Sequence, residues 1–233
     1  SCASLIKSLG IKNLVIAAKD PNPKAQGGAE YLANSNIKVT KIWEDSQFNT
    51  LAIKAQELLL PFNLLQKKGS FVLFKYACRL DGSIDGGQIS SKETQIFMHN
   101  LRSKLNNLII SGKTILFDNP TLDSRFCSLA NKNPPNITIL TKNSNFPQTA
   151  PLFAIPNRKV EICHSIPNFS GFVMCEGGGN LLESLLPHID MLLVFVSPTL
   201  STYHLTHHFQ AHFKLLHCQM IGNDIALWLL PQK

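Results

Sequence analysis

Residues 107–125 read NLIISGKTILFDNPTLDSR, and the parsing of this stretch decides the fold. Asn107 to Ser111 form a short apolar run of the kind found in a strand buried on both faces. The segment that comes next, TILFDNPTLDSR from Thr114 to Arg125, packs polar groups into one short connection. Thr114, Asp118, Asn119 and Arg125 supply a hydroxyl, a carboxylate, an amide and a guanidinium, while Leu116, Pro120 and Leu122 read as anchors. In an open α/β sheet, ligands bind at the carboxyl ends of strands, where such connections emerge. The segment is therefore read as part of a site.

Working outward, the pattern alternates. A strand at Phe71 to Ala77 is followed by the turn LDGS, a Gly-Gly connection and a helix over about Ser91 to Lys104. Beyond Arg125 come strands at Asn136 to Thr141, Val160 to Cys163 and Phe172 to Cys175, then a helix at Asn180 to Leu186 and a strand at Met191 to Ser197. Two last strands near Phe213 to Ile221 and Asp224 to Leu230 complete a mostly parallel sheet with an antiparallel finish. The first sixty residues read as the back part of another α/β unit: a helix at Ala3 to Leu9, a strand at Asn13 to Ala18, a helix near Ala29 to Asn34 and a strand around Ile37 to Thr40. These are too few for an independent layer, so the beginning of that unit is expected upstream. A helix from Thr50 to Leu60 should stop at Pro61, and the polar turn QKKGS at Gln66 to Ser70 should separate a unit over 1–66 from one over 67–233.

Composition narrows the function. The 233 residues, 44% of them hydrophobic, suffice for a sizeable core. No apolar run approaches the roughly 20 residues that cross a bilayer, and the N-terminus lacks the pattern of a secretory signal. A soluble, cytoplasmic protein without membrane partners is expected. The six cysteines include no CxxC pair, which fits reduced thiols. The net charge of +7 is spread over scattered lysines, a distribution that favours a solvated surface and a phosphorylated small ligand over nucleic acid. The four arginines, Arg79, Arg102, Arg125 and Arg158, are sparse enough to suggest directional contacts to phosphate or carboxylate.

EGGGN, Glu176 to Asn180, lies between the apolar strand GFVMC and the helix NLLESLL. Glycines there let backbone approach a ligand, although such a turn also serves as a mere tight connection. Glu176, at the end of a buried strand, requires a partner. His204, His207, His208 and His212 could share a helical face, but no carboxylate or cysteine accompanies them, and solvated or packed histidines are commoner than ligands. Phe117 and Phe126, flanking the polar segment, read as packing residues. No nucleophile-base arrangement stands out by spacing.

KYACRLDGS from Lys75, the pair Leu101-Arg102, TILFDNPTLDSR and CEGGGNLL from Cys175 together resemble the bifunctional riboflavin-biosynthesis deaminase/reductase family, in order and spacing over more than a hundred residues. The resemblance implies a reductase domain with a dihydrofolate-reductase-like fold, preceded here by a partial cytidine-deaminase-like α/β segment. It implies NADPH-dependent reduction of the ribosyl group of 5-amino-6-(5-phosphoribosylamino)uracil to a ribityl chain, a phosphorylated pyrimidine substrate and a homodimer. Carried over residue by residue, Arg102, Leu122, Arg125 and Glu176 fall on substrate positions, with the arginines on the phosphate. Ala77, Thr114, Asp118, Thr141, Gly178 and Gly179 fall along the NADPH site. Lys75 is the candidate for polarising the reacting group, and Glu176 and Asp118 would fix hydroxyls and cofactor. Cys2 matches the last zinc cysteine of the deaminase; the other ligands lie upstream in the family, so the chain as written is expected neither to hold catalytic zinc nor to deaminate. The family's loop after LDG usually carries a Ser and a Trp, where this chain has Gly86 and Gln88. Rival readings are another pteridine or pyrimidine reductase on the same fold and a non-catalytic nucleotide-binding homologue.

Overall fold

A computed structural model describes residues 1–84, 87–128, 133–201 and 209–232. The chain divides into two compact units, Ser1–Gly69 and Ser70–Lys233. In the first, helix α1 (Cys2–Ser8) is capped by the Ser1 hydroxyl, which accepts from the Ser4 amide at 3.2 Å. Strand β1 (Asn13–Ile16) pairs in parallel with β2 (Lys38–Lys41) across the crossover helix α2 (Gly28–Ala33). Two helices come after them, α3 (Asn49–Leu58) and α4 (Leu60–Lys68).

Here the structure departs from the sequence reading. Pro61 sits in the first turn of α4, where a missing N–H leaves no hydrogen bond unmade, so it starts a helix instead of ending one. Gln66 to Lys68 are the last turn of α4, and Gly69, in the left-handed conformation, closes it.

The second unit is built on β3 (Ser70–Arg79), whose run FVLF is buried on both faces. Helix α5 (Lys92–Arg102) begins where the Ser91 hydroxyl accepts from the Thr94 amide. Then come β4 (Asn107–Ser111), α6 (Gly112–Asp118), β5 (Asn136–Leu140), β6 (Val160–Cys163), β7 (Gly171–Glu176), α7 (Gly179–Leu185), β8 (Met191–Ser197), β9 (Phe213–Ile221) and β10 (Asp224–Pro231). Among the described residues the sheet order is β6-β5-β4-β7-β3-β8-β10-β9. The first six of these strands run parallel, and β10 and β9 are antiparallel additions. This is the mixed α/β architecture with a mostly parallel sheet that the alternation predicts.

Strand periodicity sorts the side chains. Val72, Phe74, Val173, Cys175, Ile109, Leu192 and Val194 share a core with Leu181, Leu182 and Leu185 of α7. The opposite face is covered by α5, whose Phe97 ring packs edge-on against Phe195 of β8 and Trp228 of β10. Lys75 and Glu176 belong to that second face.

Candidate functional site

The segment 114–125 is not one loop. Its first part, through Asp118, continues α6, because the Ser111 hydroxyl caps the helix by accepting from the Thr114 amide at 3.1 Å. The Thr114 hydroxyl lies 2.7 Å from that of Ser111, so its predicted cofactor-side hydroxyl is already engaged. Asn119, in the left-handed region at φ 46°, ends the helix, and an irregular segment carries the chain on to Ser128.

Four consecutive strands of the sheet, β5, β4, β7 and β3, bring the sequence-derived residues to one edge. Thr141 follows β5, Gly112 and Thr114 follow β4, Glu176 to Gly179 close β7, and Ala77 lies near the end of β3. Gly112 and Thr141 are in such close approach that a Cβ on Gly112 would stand 2.8 Å from Thr141 Cβ. A Cβ on Gly178 would stand 3.1 Å from Ile84 Cδ1. The bare backbone there is the feature a closely approaching phosphate group needs. Asp118 is the residue this row does not include: it is exposed at the far end of α6, and desolvation raises its carboxyl above the ordinary value.

The charged centre lies beside this edge. Glu176 pairs in register with Lys75 on β3 and with Ile110 on β4. Arg102, from the last turn of α5, grips it with both arms of its fork: Nε donates to Oε1 at 2.9 Å and Nη2 donates to Oε2 at 2.8 Å. The two side chains are only 14% and 12% exposed. Burial pushes the Glu176 carboxyl up, but Arg102 and then Lys75 outweigh it, and the group ends below the ordinary carboxylate value. For Lys75, desolvation dominates; Glu176 opposes it and Arg102 adds to it, so the ammonium is held below its ordinary value. Its Nζ sits 5.8 Å from the centre of the Phe195 ring.

Lys75 and Arg102 line a cavity of about 180 Å³ together with Thr94, His99, Arg125 and Phe126. A larger cavity of about 260 Å³ opens among Asn106, Asn107, Asn136 and Thr138 at the amino ends of β4 and β5, away from this edge, and its charged lining residues, Lys159 and Glu161, are exposed and paired with each other at 3.3 Å. The smaller cavity is therefore the candidate site.

Two residues at or beside the cavity, His99 and Asp123, have no role in the sequence reading, and a third, Arg158, is marked there only as one of four sparse arginines. His99 is three residues before Arg102, hence on the same helical face. It is buried, its Nδ1 accepts from the Phe126 amide at 3.5 Å, and its ring stands edge-on to that of Phe126. Burial, reinforced by Arg102, keeps the imidazole below its ordinary value. Asp123 faces both His99, at 3.8 Å, and Arg125, at 3.5 Å. Arg158 reaches in from just before β6 to backbone carbonyls of the irregular segment. Of the predicted substrate residues, Leu122 is buried with φ 52°, while Arg125 is exposed over the Phe126 ring. Arg102 and Glu176, assigned separately from the sequence, prove to be each other's partners.

Gln88 is exposed and donates from Nε2 to the Ser90 carbonyl at 3.1 Å; Gly86 lies outside the described residues. So do His204, His207 and His208; among the described residues no group of three His, Cys, Asp or Glu could hold a metal ion. Cys2 is an exposed free thiol on α1. No helix among the described residues is long and apolar enough to cross a membrane.

Fold and site together describe an α/β domain with a candidate ligand site at the carboxyl edge of a mostly parallel sheet. Comparison with known proteins makes this specific: residues 70–164 match the family described as RibD C-terminal domain. The chain is similar to the riboflavin biosynthesis protein RibD, chiefly in its reductase part. It is 27% identical to the Aquifex aeolicus RibD over 237 aligned positions, which take in 84% of this chain and 64% of that protein, so it spans less than two thirds of that relative's length. Among solved structures, a Thermotoga maritima diaminohydroxyphosphoribosylaminopyrimidine deaminase/5-amino-6-(5-phosphoribosylamino)uracil reductase matches with a TM-score of 0.67 at 24% identity, covering 99% of this chain and 74% of its own. A Saccharomyces riboflavin biosynthesis reductase matches with a TM-score of 0.55 at 18% identity, covering 77% of this chain and all of its own. These two likenesses concern the fold.

Proposed function

We propose that the unit Ser70–Lys233 reduces the ribosyl group of 5-amino-6-(5-phosphoribosylamino)uracil to its ribityl chain with NADPH. The observation that carries this reading is the Lys75–Glu176–Arg102 cluster, of which Lys75 and Arg102 line the cavity, with the glycine backbone that follows Glu176 beside it. The residues are compatible with a nicotinamide dinucleotide: Thr141, Thr114, Gly178, Gly179 and Ala77 lie at or just beyond the ends of four neighbouring strands, and Gly178 and Gly179 bring side-chain-free backbone to that row. When bound, NADPH supplies the hydride.

The chain's own residues do the rest. The opened ribose presents an electrophilic C1′, and reduction there needs one proton besides the hydride. The Lys75 ammonium, loosened by desolvation, is the group suited to donate it and to polarise the carbonyl or imine. Glu176, kept ionised by Arg102, stabilises that ammonium electrostatically and accepts from ribose hydroxyls. Arg125, exposed at the rim, takes the 5′-phosphate. Arg102 is committed to Glu176 by two bonds, so its contribution to the phosphate is through charge more than through its fork.

The test mixes the purified chain with NADPH and the deaminated pyrimidine and follows nicotinamide absorbance. Turnover that weakens strongly when the 5′-phosphate is removed is the expected result; absence of both turnover and cofactor binding would sink the reading. We further read Ser1–Gly69 as a deaminase-like segment with Cys2 at a zinc-ligand position, and the protein as a cytoplasmic homodimer. Elemental analysis for zinc and light scattering test these points.

A further inference from the structure

Arg158 belongs to none of the roles above, yet its guanidinium is among the most heavily engaged groups in the molecule. Its Nη1 donates to the Leu122 carbonyl at 2.9 Å, and its Nη2 donates to the Thr121 carbonyl and, at 2.9 Å, to that of Leu152. Nε donates to Leu152 as well, at 3.2 Å. Leu152 is fully buried, so one end of this clamp is anchored in the core. The other end grips successive carbonyls of a segment that needs holding: Leu122 is a buried non-glycine residue in the left-handed region, a conformation that persists only where surrounding contacts impose it.

The grip sets the course of the next five residues. Immediately after Leu122, Asp123 turns toward His99 and Arg125, and its Oδ1 accepts from the Arg125 amide at 3.3 Å. The Cys127 amide donates to the Ser124 carbonyl at 2.9 Å, and the Phe126 amide meets His99 Nδ1. The segment is thus fastened at its start by Arg158 and at its end by His99, and the two residues that face the cavity, Arg125 and Phe126, lie between or beside these points. Lysine could not substitute, since a point ammonium cannot meet carbonyls diverging across a planar fork.

We infer that Arg158 is a positioning residue for substrate recognition: it holds the 121–126 segment in its left-handed turn and thereby presents Arg125 to the anionic end of the substrate. The clamp itself is independent of the substrate's identity, whereas the binding consequence rests on the reductase reading.

The experiment uses the full chain carrying Arg158→Lys or Arg158→Met and measures hydrogen exchange by mass spectrometry, then steady-state kinetics. Amides of residues 124–127 should exchange at least about tenfold faster in both variants, corresponding to loss of hydrogen bonds to a charged group, while peptides from β3 and β8 stay protected. The KM for the phosphorylated pyrimidine should rise by about tenfold or more, with the KM for NADPH and kcat changed by no more than about threefold. Arg158→Lys, which keeps the charge and most of the volume, guards against a Met variant that does not fold. Unchanged exchange at 124–127 overturns the clamp whatever the substrate is. Faster exchange with an unchanged substrate KM, or an equal loss for substrate and NADPH, overturns the positioning role. A wild type that binds no phosphorylated pyrimidine contradicts the reductase reading and the binding half of this inference, and leaves the exchange comparison to decide the clamp.

Discussion

Glu176→Ala is the perturbation that most directly probes the centre of the site. It deletes two charge-assisted hydrogen bonds, of 2.9 and 2.8 Å, each worth about 1.5–3 kcal/mol. It also strands Arg102 beside Lys75, two like charges with little water to screen them, because the Arg102 side chain is only 14% exposed. Breaking a buried ion pair from one side costs about 3–5 kcal/mol, and that is the expected loss. Glu176→Gln keeps an acceptor and the shape, and should lose about 2 kcal/mol. The double replacement Arg102→Met with Glu176→Leu removes both charges and should return to within about 1 kcal/mol of the wild type. The assay is urea unfolding followed by tryptophan fluorescence. Trp43 lies in the first unit and Trp228 on β10 of the second, so a Trp43→Phe background leaves Trp228 to report the unit of interest. Unfolding slopes must agree between variants for the comparison to hold. The pH dependence has a definite sign. Glu176 is held below its ordinary 4.5, so the stability it contributes is present above pH 4.5 and is lost as pH falls below that value through the folded one. A loss below about 1 kcal/mol for Glu176→Ala, or a double variant as unstable as the single one, would refute the reasoning.

Lys75→Met removes a desolvated ammonium, so the thermal midpoint should hold or rise, while kcat for the proposed reduction should fall by about 10²-fold or more; a large drop in midpoint would make Lys75 structural. Gly178→Ala places its Cβ 3.1 Å from the flexible Ile84 Cδ1, so stability should fall by less than about 1 kcal/mol. Its NADPH affinity, read by fluorescence titration, should fall by about tenfold or more, and an unchanged affinity would remove Gly178 from the cofactor site. His99 is held below its ordinary 6.5, so the unfolded chain takes up the proton first and stability should decline as pH drops below 6.5. His99→Gln, scanned by thermal melts across this range, should flatten that decline; an unaltered slope assigns it to other groups.

The alternation of apolar strand and amphipathic helix was legible because parallel strands buried on both faces leave a run such as FVLF or MLLVFV that no surface segment matches. Boundaries were harder to read. Pro61 signals either the end of a helix or its first turn, and only the neighbouring residues decide which. The segment after β4 looked like a loop because Thr, Asp and Asn are turn formers, yet the Ser111 cap fixes a helix through Asp118. Glu176 could be predicted to need a partner from its position at a buried strand end, but the partner comes from 74 residues earlier in the chain, and no local pattern announces it. Arg158 was singled out only by the scarcity of arginine. Its targets are backbone carbonyls, which carry no sequence signature, so its role emerges from the fold alone.

The charges that face the cavity support a division of labour among the cations. Lys75, Arg102 and Arg125 line it, with Glu176 and Asp123 as their acidic neighbours and the His99 imidazole held below its ordinary value by burial, so the group carries one net positive charge, which suits the proposed phosphorylated substrate. Arg102 has two of its donors fixed on Glu176 and lies almost wholly out of solvent, so it cannot follow a ligand as it enters. Lys75 is desolvated by burial, its Nζ lies 5.8 Å from the centre of the Phe195 ring, and the residue pairs in register with Glu176. Arg125 has its side chain 55% exposed, with Asp123 as a loose partner at 3.5 Å, and retains both freedom and unused donors. Selectivity for a phosphorylated over a dephosphorylated pyrimidine should therefore reside in Arg125. The ionised state of Glu176 should reside in Arg102, whose own positive charge also favours proton release from Lys75 against the opposing pull of Glu176. Arg125→Ala should then erase the preference for the phosphate while sparing kcat on the dephosphorylated compound; a kcat that collapses with it would mean that the two arginines work as one unit.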